Sequence, residues 1–335
     1  MWKILIYAPN WIGDAVMTVP FISQLKQGYP DSEISIICKN WVADVFSTLP
    51  EIKDIIQFNR EDYKVNYRSK KIAKKLSVET YDLGFLLSDS FSSARLLYKA
   101  NITRRIGYRG QFRMWMLTDS LSLKKTQYLH RTDKYLQLLT LVSITPSAGK
   151  YPQISAPVAS RFPENWKDEK IHIGINPNSV AISRRWPREF WIEFIDRLST
   201  PEFQFIFFGG PDDWESNQEI INKSNGNLIN FAEKGTLVNS MAIMACCQLI
   251  VSNDSGPMHI ADALGVPTIG LFGAGDTGST GLRSKTSLNL DAKAYCSPCQ
   301  KNICPNKKEP LICLYKITPE MVTEKSREIL KNWKI

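Results

Sequence analysis

Three stretches of this 335-residue sequence combine short polar side chains with glycine in patterns that suit phosphate chemistry. The most distinctive covers residues 251–273, VSNDSGPMHIADALGVPTIGLFG, where a predicted buried strand is followed directly by a predicted helix. Free amides at a helix start favour an anion, and Gly256 would let a phosphate approach the backbone closely. Asp254, Ser255 and His259 add polar side chains there, so the pattern predicts a phosphate site. Alternatively, Asp254 or Ser255 only caps the helix and His259 is a buried imidazole.

A second polar stretch, NPNSVAISRRWPREFW at residues 176–191, also follows a predicted strand. Ser179 offers a short hydrogen-bonding group, and Arg184 and Arg185 stand just before a predicted helix. Arginine suits a diphosphate because its planar guanidinium donates two parallel hydrogen bonds. The alternative is that both arginines are solvated beside a helix start.

The third stretch, APNWIGDAVMTVP at residues 8–20, places Gly13 and Asp14 directly after the first predicted strand. The spacing of its glycine does not match the G-x-G-x-x-G pattern, so a dinucleotide-binding fingerprint is not supported. Asp14 could cap the following helix, or it could act as a general base directed into a cleft between domains.

Alternating short strands and helices position all three stretches, which is the pattern of a parallel α/β sheet. The alternation is interrupted by a Pro-, Ser- and Ala-rich stretch at residues 143–166 and then restarts. We therefore predict parallel-sheet domains over residues 1–158 and 168–317, followed by a C-terminal helix within 318–335. Because ligands bind at the carboxyl ends of parallel strands, the three stretches are expected to lie at binding edges.

Two helix boundaries can be predicted in more detail. Residues 13–28 read as one continuous helix after the first strand. Near the C-terminus, Thr318 is suited to an N-cap, Pro319 to the first helical position and Glu320 to the first turn.

The positive charge is concentrated in one part of the chain. The net charge is +9, and the segment from Arg60 to Lys134 holds 17 Lys/Arg against 7 Asp/Glu. This indicates an anionic partner such as a nucleic acid, an acidic glycan or a phospholipid surface. A solvated basic face is the alternative. Nucleic acid is not favoured, because no helix-turn-helix, zinc-finger or RNA-recognition signature accompanies the charge.

The apolar runs predict a cytoplasmic protein. The longest of them have the length of buried strands and are too short to span a bilayer. The N-terminal sequence also lacks the long apolar region and cleavage site of a signal peptide.

Four of the seven cysteines are crowded near the C-terminus, at Cys296, Cys299, Cys304 and Cys313. Disulfides are disfavoured in a cytoplasmic protein, whereas four thiolates could hold a structural zinc ion in a tetrahedron. The irregular spacing leaves reduced thiols, a disulfide or an iron–sulfur cluster as alternatives.

Taken together, the three polar stretches resemble the lipopolysaccharide heptosyltransferases of glycosyltransferase family 9. The shared pattern is N-x-x-GDA-V…P, then R-W-P, then NDSG-x-x-H-x-A-x-A-L-x-x-P, in that order over essentially the whole chain. The resemblance implies the GT-B fold, with two Rossmann-like parallel-sheet domains facing a central cleft. It also implies an N-terminal domain that binds the acceptor, a C-terminal domain that binds a nucleotide sugar, and a last helix that crosses back to the N-terminal domain.

The same resemblance implies roles for individual residues. Asp14 matches the catalytic aspartate that deprotonates the acceptor hydroxyl, and Ser179 lies where members offer hydroxyls to the diphosphate. The family usually has lysine two residues before the Trp-Pro pair, where this chain has Arg184. The donor-binding loop of the family matches Asp254, Ser255, Gly256 and His259.

The implied reaction is inverting transfer of heptose from ADP-heptose to the heptose and Kdo region of the lipopolysaccharide inner core, without a catalytic metal or other cofactor. The implied acceptor, an anionic lipid A–Kdo–heptose, would place the protein peripherally at the cytoplasmic face of the inner membrane, in agreement with the basic segment. The alternatives are a related GT-B transferase with another nucleotide sugar or glycan acceptor, an epimerase on the same fold, and a nucleic-acid-binding module.

Overall fold

The chain divides into an N-terminal unit, Met1–Ile154, and a C-terminal unit, Ser155–Ile335. The boundary falls inside the stretch 143–166, where the sequence interrupts its alternation of strands and helices. The structure is a computed structural model, and it describes residues 1–59, 66–147, 149–232 and 236–331.

The N-terminal unit is built on one sheet of parallel strands in the order β3-β2-β1-β4-β5-β6. Its strands are β1 (Lys3–Tyr7), β2 (Glu33–Lys39), β3 (Ile52–Phe58), β4 (Leu83–Leu86), β5 (Arg104–Arg109) and β6 (Asp119–Ser122). Its α-helices are α1 (Ile12–Met17), α2 (Val19–Gly28), α3 (Asn40–Ser47), α4 (Asn66–Val78), α5 (Phe91–Lys99) and α6 (Arg131–Gln137). Short 3₁₀ helices cover Met114–Met116, Leu123–Lys125 and Leu138–Val142.

Strand β1 lies at the centre of this sheet and is apolar because both of its faces are covered. All of its residues after Lys3 are buried, as expected for a strand between two helical layers. The chain order reverses at β1, since β2 lies on one side of it and β4 on the other. Such a reversal leaves a crevice at the carboxyl end of the strand, and α1, which carries Gly13 and Asp14 in its first turn, follows there.

The predicted single helix over 13–28 is wrong in one respect, because the structure has two helices that meet at Thr18. Pro20 lies in the first turn of α2 and has no amide hydrogen, so the hydrogen-bond ladder of α1 cannot continue through it. Thr18 Oγ1 donates instead to the carbonyl oxygen of Ala15 at 2.6 Å. The break keeps α1 short.

The C-terminal unit has a second parallel sheet in the order β12-β11-β10-β7-β8-β9. Its strands are β7 (Ile171–Asn176), β8 (Phe203–Phe207), β9 (Leu228–Asn230), β10 (Leu249–Asn253), β11 (Thr268–Phe272) and β12 (Leu288–Asp291). Its α-helices are α7 (Arg188–Leu198), α8 (Trp214–Ile221), α9 (Leu237–Ala245), α10 (Gly256–Ala263), α11 (Thr277–Thr280), α12 (Ile312–Tyr315) and α13 (Pro319–Leu330). Short 3₁₀ helices cover Ile182–Arg184 and Pro211–Asp213.

The reversal of chain order in this sheet lies at β7, between β8 and β10. Strands β7 and β10 are paired so that Asn176 lies opposite Ser252, near the carboxyl end of each strand. The loops that follow these two strands are the two polar stretches of the second half of the sequence. The fold therefore brings them to one edge of one sheet. The predicted class, two Rossmann-like domains with parallel sheets, is confirmed.

Helix α13 begins as predicted. Thr318 is its N-cap, with Oγ1 accepting a hydrogen bond from the Met321 amide at 3.3 Å, and Pro319 lies in the first turn. The described part of the helix packs against α7 and β10 of its own unit, and its Val322 side chain is buried in the core there. The expected crossing to the N-terminal domain stays a prediction, and residues 332–335 of this segment lie outside the described part.

Within the described ranges, no helix is both long enough and apolar enough to pass through a bilayer.

Candidate functional site

The start of helix α10 in the C-terminal unit is left open by its own N-cap. Ser255 occupies the N-cap position with extended backbone angles, but its side chain makes no capping hydrogen bond. Its Oγ instead accepts a hydrogen bond from Asn176 Nδ2 at 2.7 Å. The helix begins at Gly256, so Ser255 is its N-cap by position, but the Ser255 side chain does not supply a capping hydrogen bond. Neither Ser255 nor Asp254 uses its side chain to satisfy the amides of the first turn, so these remain suited to an anion.

The loop after β7 is joined to this helix start by direct contacts. Ser179 Oγ donates to the carbonyl oxygen of Asp254 at 3.3 Å, and Arg185 Nε donates to the carbonyl oxygen of Ser179 at 2.7 Å. Arg184 Nη1 lies 3.1 Å from Asp254 Oδ2. The structure thus brings together Ser179, Arg184 and the NDSG turn, which are about 75 residues apart in the chain.

Asp254 is an unusual carboxyl group because it is only 2% exposed. Burial raises its pKa to about 6, and the neighbouring Arg184 guanidinium opposes that rise. Within the described residues, Asp254 Oδ2 has no hydrogen-bond donor despite the ion pair, and buried Arg184 Nε has no acceptor. The pair therefore keeps hydrogen-bonding capacity that a ligand could use.

We name Ser179, Arg184 and the NDSG turn the C-terminal half-site, and Gly275, just beyond β11, also belongs to it. A Cβ atom at this position would overlap the Asp254 carboxylate, so only glycine leaves room for the buried acid. His259 lies in the first turns of α10 and is also buried. Its burial fits the alternative of a core imidazole, although the residue lies beside the open helix start.

Sequence reasoning missed the two asparagines that hold the strand ends together. Asn253, the last residue of β10, accepts from the Trp186 amide at 3.0 Å and donates to the carbonyl oxygen of Pro177 at 2.6 Å. Asn176, the last residue of β7, donates to Ser252 Oγ at 2.8 Å as well as to Ser255. The signal available in the sequence was an asparagine ending each of two apolar strands.

The N-terminal half-site is built on the short helix α1. Its N-cap is Trp11, so Asp14 is not the cap and that alternative is wrong. Asp14 lies in the first turn with its side chain 21% exposed, and its Oδ1 is 3.6 Å from Arg131 Nε. Arg131, at the start of α6, was not singled out from the sequence, where it follows His130 in a short HRTD run.

Tyr135 interacts with both members of this pair. The phenol is buried, and burial together with the negative charge of Asp14 raises its pKa well above 10, so it stays protonated at neutral pH. A partly exposed carboxylate beside a guanidinium and a neutral phenol can accept a proton from a bound hydroxyl group.

Part of the predicted basic segment is structural. Arg104 pairs with Asp119 at 2.9 Å, and buried Arg113 pairs with Asp89 at 2.9 Å. Residues 60–65 of the segment lie outside the described part of the chain. Among the residues whose side chains the structure describes, the exposed cations of the segment are Lys74 and Lys75 on α4 and Arg95, Lys99, Arg109 and Lys124 on and after α5.

The four clustered cysteines line one small cavity of about 10 Å³ in the C-terminal unit. All are free thiols, and the Leu311 amide donates to Cys304 Sγ at 3.3 Å. Burial, with a smaller contribution from the neighbouring thiols, raises the pKa of Cys313 to about 11. Among the residues that the structure describes, no set of three or more His, Cys, Asp or Glu side chains has the arrangement of a metal site. The zinc site at Cys296, Cys299, Cys304 and Cys313 stays a prediction.

Comparisons with known proteins identify the family of this chain. The family described as glycosyltransferase family 9 (heptosyltransferase) matches residues 69–309. Lipopolysaccharide heptosyltransferase 2 of Salmonella typhimurium is 28% identical over 288 residues, which cover 81% of this chain and 82% of that protein.

Two solved structures extend the likeness to the whole chain. The ADP-heptose lipopolysaccharide heptosyltransferase II of E. coli superposes with a TM-score of 0.81 at 25% identity, covering 98% of this chain and 99% of that one. A family 9 glycosyltransferase of Veillonella parvula gives a TM-score of 0.86 at 22% identity, covering 99% and 98%, and shows the shared fold.

Proposed function

The chain belongs to glycosyltransferase family 9, and from that premise we propose that it transfers heptose from ADP-heptose to the inner core of lipopolysaccharide. The proposal is supported by the names of the relatives, which act on lipopolysaccharide or use an ADP-heptose donor. The observation that carries it is the joined pair of loops after β7 and β10, where Arg184 meets Asp254 beside an open helix start.

The C-terminal half-site is suited to a nucleoside diphosphate leaving group. When the sugar is transferred, negative charge grows on the diphosphate and must be stabilised. The open amides at Ser255 and Gly256 provide fixed dipoles for this purpose, and Arg184 provides a full positive charge. Asp254 holds Arg184 at the loop. These groups can stabilise the departing diphosphate, and we propose that they do so without a catalytic metal.

The N-terminal half-site is suited to activate the acceptor. A sugar hydroxyl has a pKa far above 7, so it must lose its proton as it attacks the anomeric carbon. We assign that proton to Asp14, which Arg131 orients through their ion pair. Attack from the face opposite the diphosphate inverts the anomeric configuration. The proposal requires the two half-sites to meet around one donor and one acceptor.

The acceptor in this proposal is the anionic lipid A–Kdo–heptose, which would place the reaction at the cytoplasmic face of the inner membrane. The experiment is a transfer assay with purified protein, this acceptor, and ADP-heptose, UDP-sugars or GDP-sugars in separate reactions. A glycosylated product formed only from ADP-heptose supports the proposal. Product formed only from another sugar nucleotide overturns the donor assignment.

One observation favours a second candidate, a related transferase with another donor or acceptor. Arg184 stands where the family usually has lysine, and a guanidinium holds a diphosphate differently from an ammonium. The same assay separates the two candidates, because the second predicts turnover with a different nucleotide sugar or with a different glycan.

A structural zinc ion at the four cysteines is proposed separately from the catalytic chemistry. It is supported by the shared cavity and by the amide that donates to Cys304. Metal analysis of freshly purified protein should give about one equivalent, lost in Cys299→Ser but kept in the control Cys38→Ser. A metal-free protein with all four thiols titratable would reject the site.

A further inference from the structure

The loop between β5 and β6 exposes large apolar side chains at residues 110–116. Phe112 is 94% exposed and Trp115 is 63% exposed, and Met114 between them is exposed as well. Single exposed apolar residues are ordinary, but three within four positions form a patch that needs an explanation.

The backbone of this loop is held in an unfavourable conformation. Gln111 and Phe112 both have left-handed backbone angles, with φ of 46° and 53°. Neither residue is glycine, so this conformation persists only because the surrounding structure enforces it. The surrounding structure therefore enforces the exposure of Phe112.

Arg113 is the residue that pins the loop. Its side chain is 0% exposed and donates to the carbonyl oxygens of Tyr108 at 2.7 and 2.9 Å and of Ser88 at 2.6 Å. Its charge is paired with Asp89 at 2.9 Å. Because this buried guanidinium fixes the middle of the loop, the apolar neighbours on either side are directed outward.

Helix α5 extends the exposed surface. The Trp115 ring contacts the Tyr98 ring edge to face, with 5.3 Å between centroids, and Arg105 lies 5.4 Å from the Tyr98 ring. Gln111 Oε1 accepts a hydrogen bond from the Phe91 amide at 3.3 Å, which ties the loop to the helix start. We name this surface the aromatic patch, and it consists of Phe91, Tyr98, Phe112, Met114 and Trp115.

The charge around the aromatic patch is predominantly positive. Residues 91–134 contain 10 Lys/Arg and 2 Asp/Glu. Both acids, Asp119 and Asp133, are only partly exposed, and Asp119 already pairs with Arg104. The exposed cations of this region are therefore available to a surface of opposite charge.

We propose that the aromatic patch docks the N-terminal unit onto an anionic phospholipid surface. Aromatic rings are favoured at the boundary between headgroups and acyl chains, and each nearby Lys or Arg adds attraction to anionic lipids. The inference rests on the proposed function, because docking to a membrane serves the reaction only if the acceptor is anchored in that membrane.

A second copy of the chain is the other occupant to consider, and the charge argues against it. A two-fold contact would place the same basic surface opposite itself, and like charges across an interface are costly. A bilayer that contains anionic lipid supplies the opposite charge and an apolar layer at once.

The test is flotation of the purified full chain with vesicles in the absence of substrates. Vesicles of phosphatidylethanolamine with 30% phosphatidylglycerol are compared with vesicles of phosphatidylcholine alone. The test variant is Phe112→Ser/Met114→Ser/Trp115→Ser. The control variant, Val158→Ser/Ile303→Ser, removes comparably exposed apolar side chains elsewhere. Thermal unfolding of both variants verifies that they fold.

We expect the wild type and the control to bind the anionic vesicles and the triple variant to bind at least about tenfold more weakly. Binding to phosphatidylcholine should be weak, and Lys99→Glu/Lys124→Glu should reduce binding to the anionic vesicles. Equal binding by the wild type and a folded triple variant would overturn the proposal. So would light scattering that shows a dimer abolished by the triple variant without any vesicle binding.

A second assay separates this inference from the proposed function. The folded triple variant should keep kcat/KM within about twofold on a water-soluble, deacylated acceptor and lose transfer to acceptor embedded in vesicles. Loss of transfer on both acceptors would place the patch in substrate binding and overturn docking as its role. Vesicle binding is measured without substrates, so that result stands even if ADP-heptose is not the donor.

Discussion

The two half-sites are held by their units in different ways. In the C-terminal unit, Asp254 is buried, and the strand ends beside it are joined by the hydrogen bonds of Asn176 and Asn253. In the N-terminal unit, Asp14 stands partly exposed on a short helix, with Arg131 as a neighbour 3.6 Å away. The comparison indicates that the C-terminal half-site is part of the core of the C-terminal unit. In the N-terminal half-site, by contrast, the Asp14 carboxylate is accessible on the surface of its unit.

This difference predicts which measurement each substitution will change. A group built into the core affects stability and ligand affinity when it is altered. An accessible carboxylate affects turnover and leaves the fold intact.

Asp14→Asn should lower kcat about 1,000-fold, because a general base contributes about 10² to 10⁴ and the amide cannot accept the proton. The dissociation constant for ADP, measured by calorimetry, should stay within about twofold of the wild type. The control is the exposed Asp31→Asn, which should change neither quantity. Normal turnover together with weak ADP binding would reverse the assignment of the two half-sites.

The buried acid predicts a pH dependence. The pKa of Asp254 in the folded protein is about 6, whereas an unfolded chain has a value near 3.9. The folded state binds the proton more tightly, so the stabilising contribution is complete below about pH 4 and is lost as pH rises through 6. Between those values the free energy of unfolding should fall by up to about 3 kcal/mol relative to Asp254→Asn.

Urea unfolding of wild type and Asp254→Asn across pH 4 to 7.5 measures this difference directly. Subtracting the free energy of unfolding of Asp254→Asn from that of the wild type at each pH removes the contributions of other titrating groups. Asp31→Asn serves again as the surface control. A flat difference would show that the pKa of Asp254 is the same in the folded and unfolded states, and a difference that grows with pH would show that its pKa is lowered in the folded protein.

Arg184→Ala should weaken ADP binding by about 10- to 100-fold, the usual value of hydrogen bonds to a charged group. Arg184→Lys keeps the charge and should lose less than the alanine variant. The matched control is Arg188→Ala on the outer face of α7, where the arginine pairs with Glu219 at the surface. An ADP dissociation constant that is the same in all three variants would remove Arg184 from the diphosphate site.

Arg131→Gln should have the smallest effect, a loss of about tenfold in kcat, because it acts on the reaction only by orienting Asp14. Arg131→Lys should recover part of that loss, and ADP affinity should not change. If Arg131→Gln weakens ADP binding instead, the contrast between the two half-sites fails.

Most of the secondary structure could be predicted from local pattern. The C-terminal helix predicted to begin at Thr318, Pro319 and Glu320 is observed at Pro319–Leu330, with Thr318 as its N-cap. The miss at Thr18 is instructive, because the apolar periodicity of 13–28 is unbroken and only the missing amide of Pro20 divides the helix. Local chemistry of one residue overrode the periodicity there.

The candidate site was predicted less completely. The motifs around Arg184 and Asp254 could be read from the chain, because a strand followed by short polar residues and glycine is a local signal. Arg131 could not, since its role depends on lying beside Asp14, more than one hundred positions away. The capping alternatives for Ser255 and Asp14 also could not be settled from spacing, because two or three residues at a helix start can serve as the cap.

By itself, the sequence determined the alternation of elements, the location of the NDSG turn that we propose binds a diphosphate, and the concentration of positive charge. Each of these features depends only on residues that are close together in the sequence. Only the tertiary structure decided that Asn176 lies beside Ser255, that Asp254 is buried with Arg184, and that buried Arg113 directs Phe112 outward. Strand order and register bring distant residues together, and burial then changes their chemistry, since a carboxyl group removed from water no longer has the pKa it has in a solvated chain.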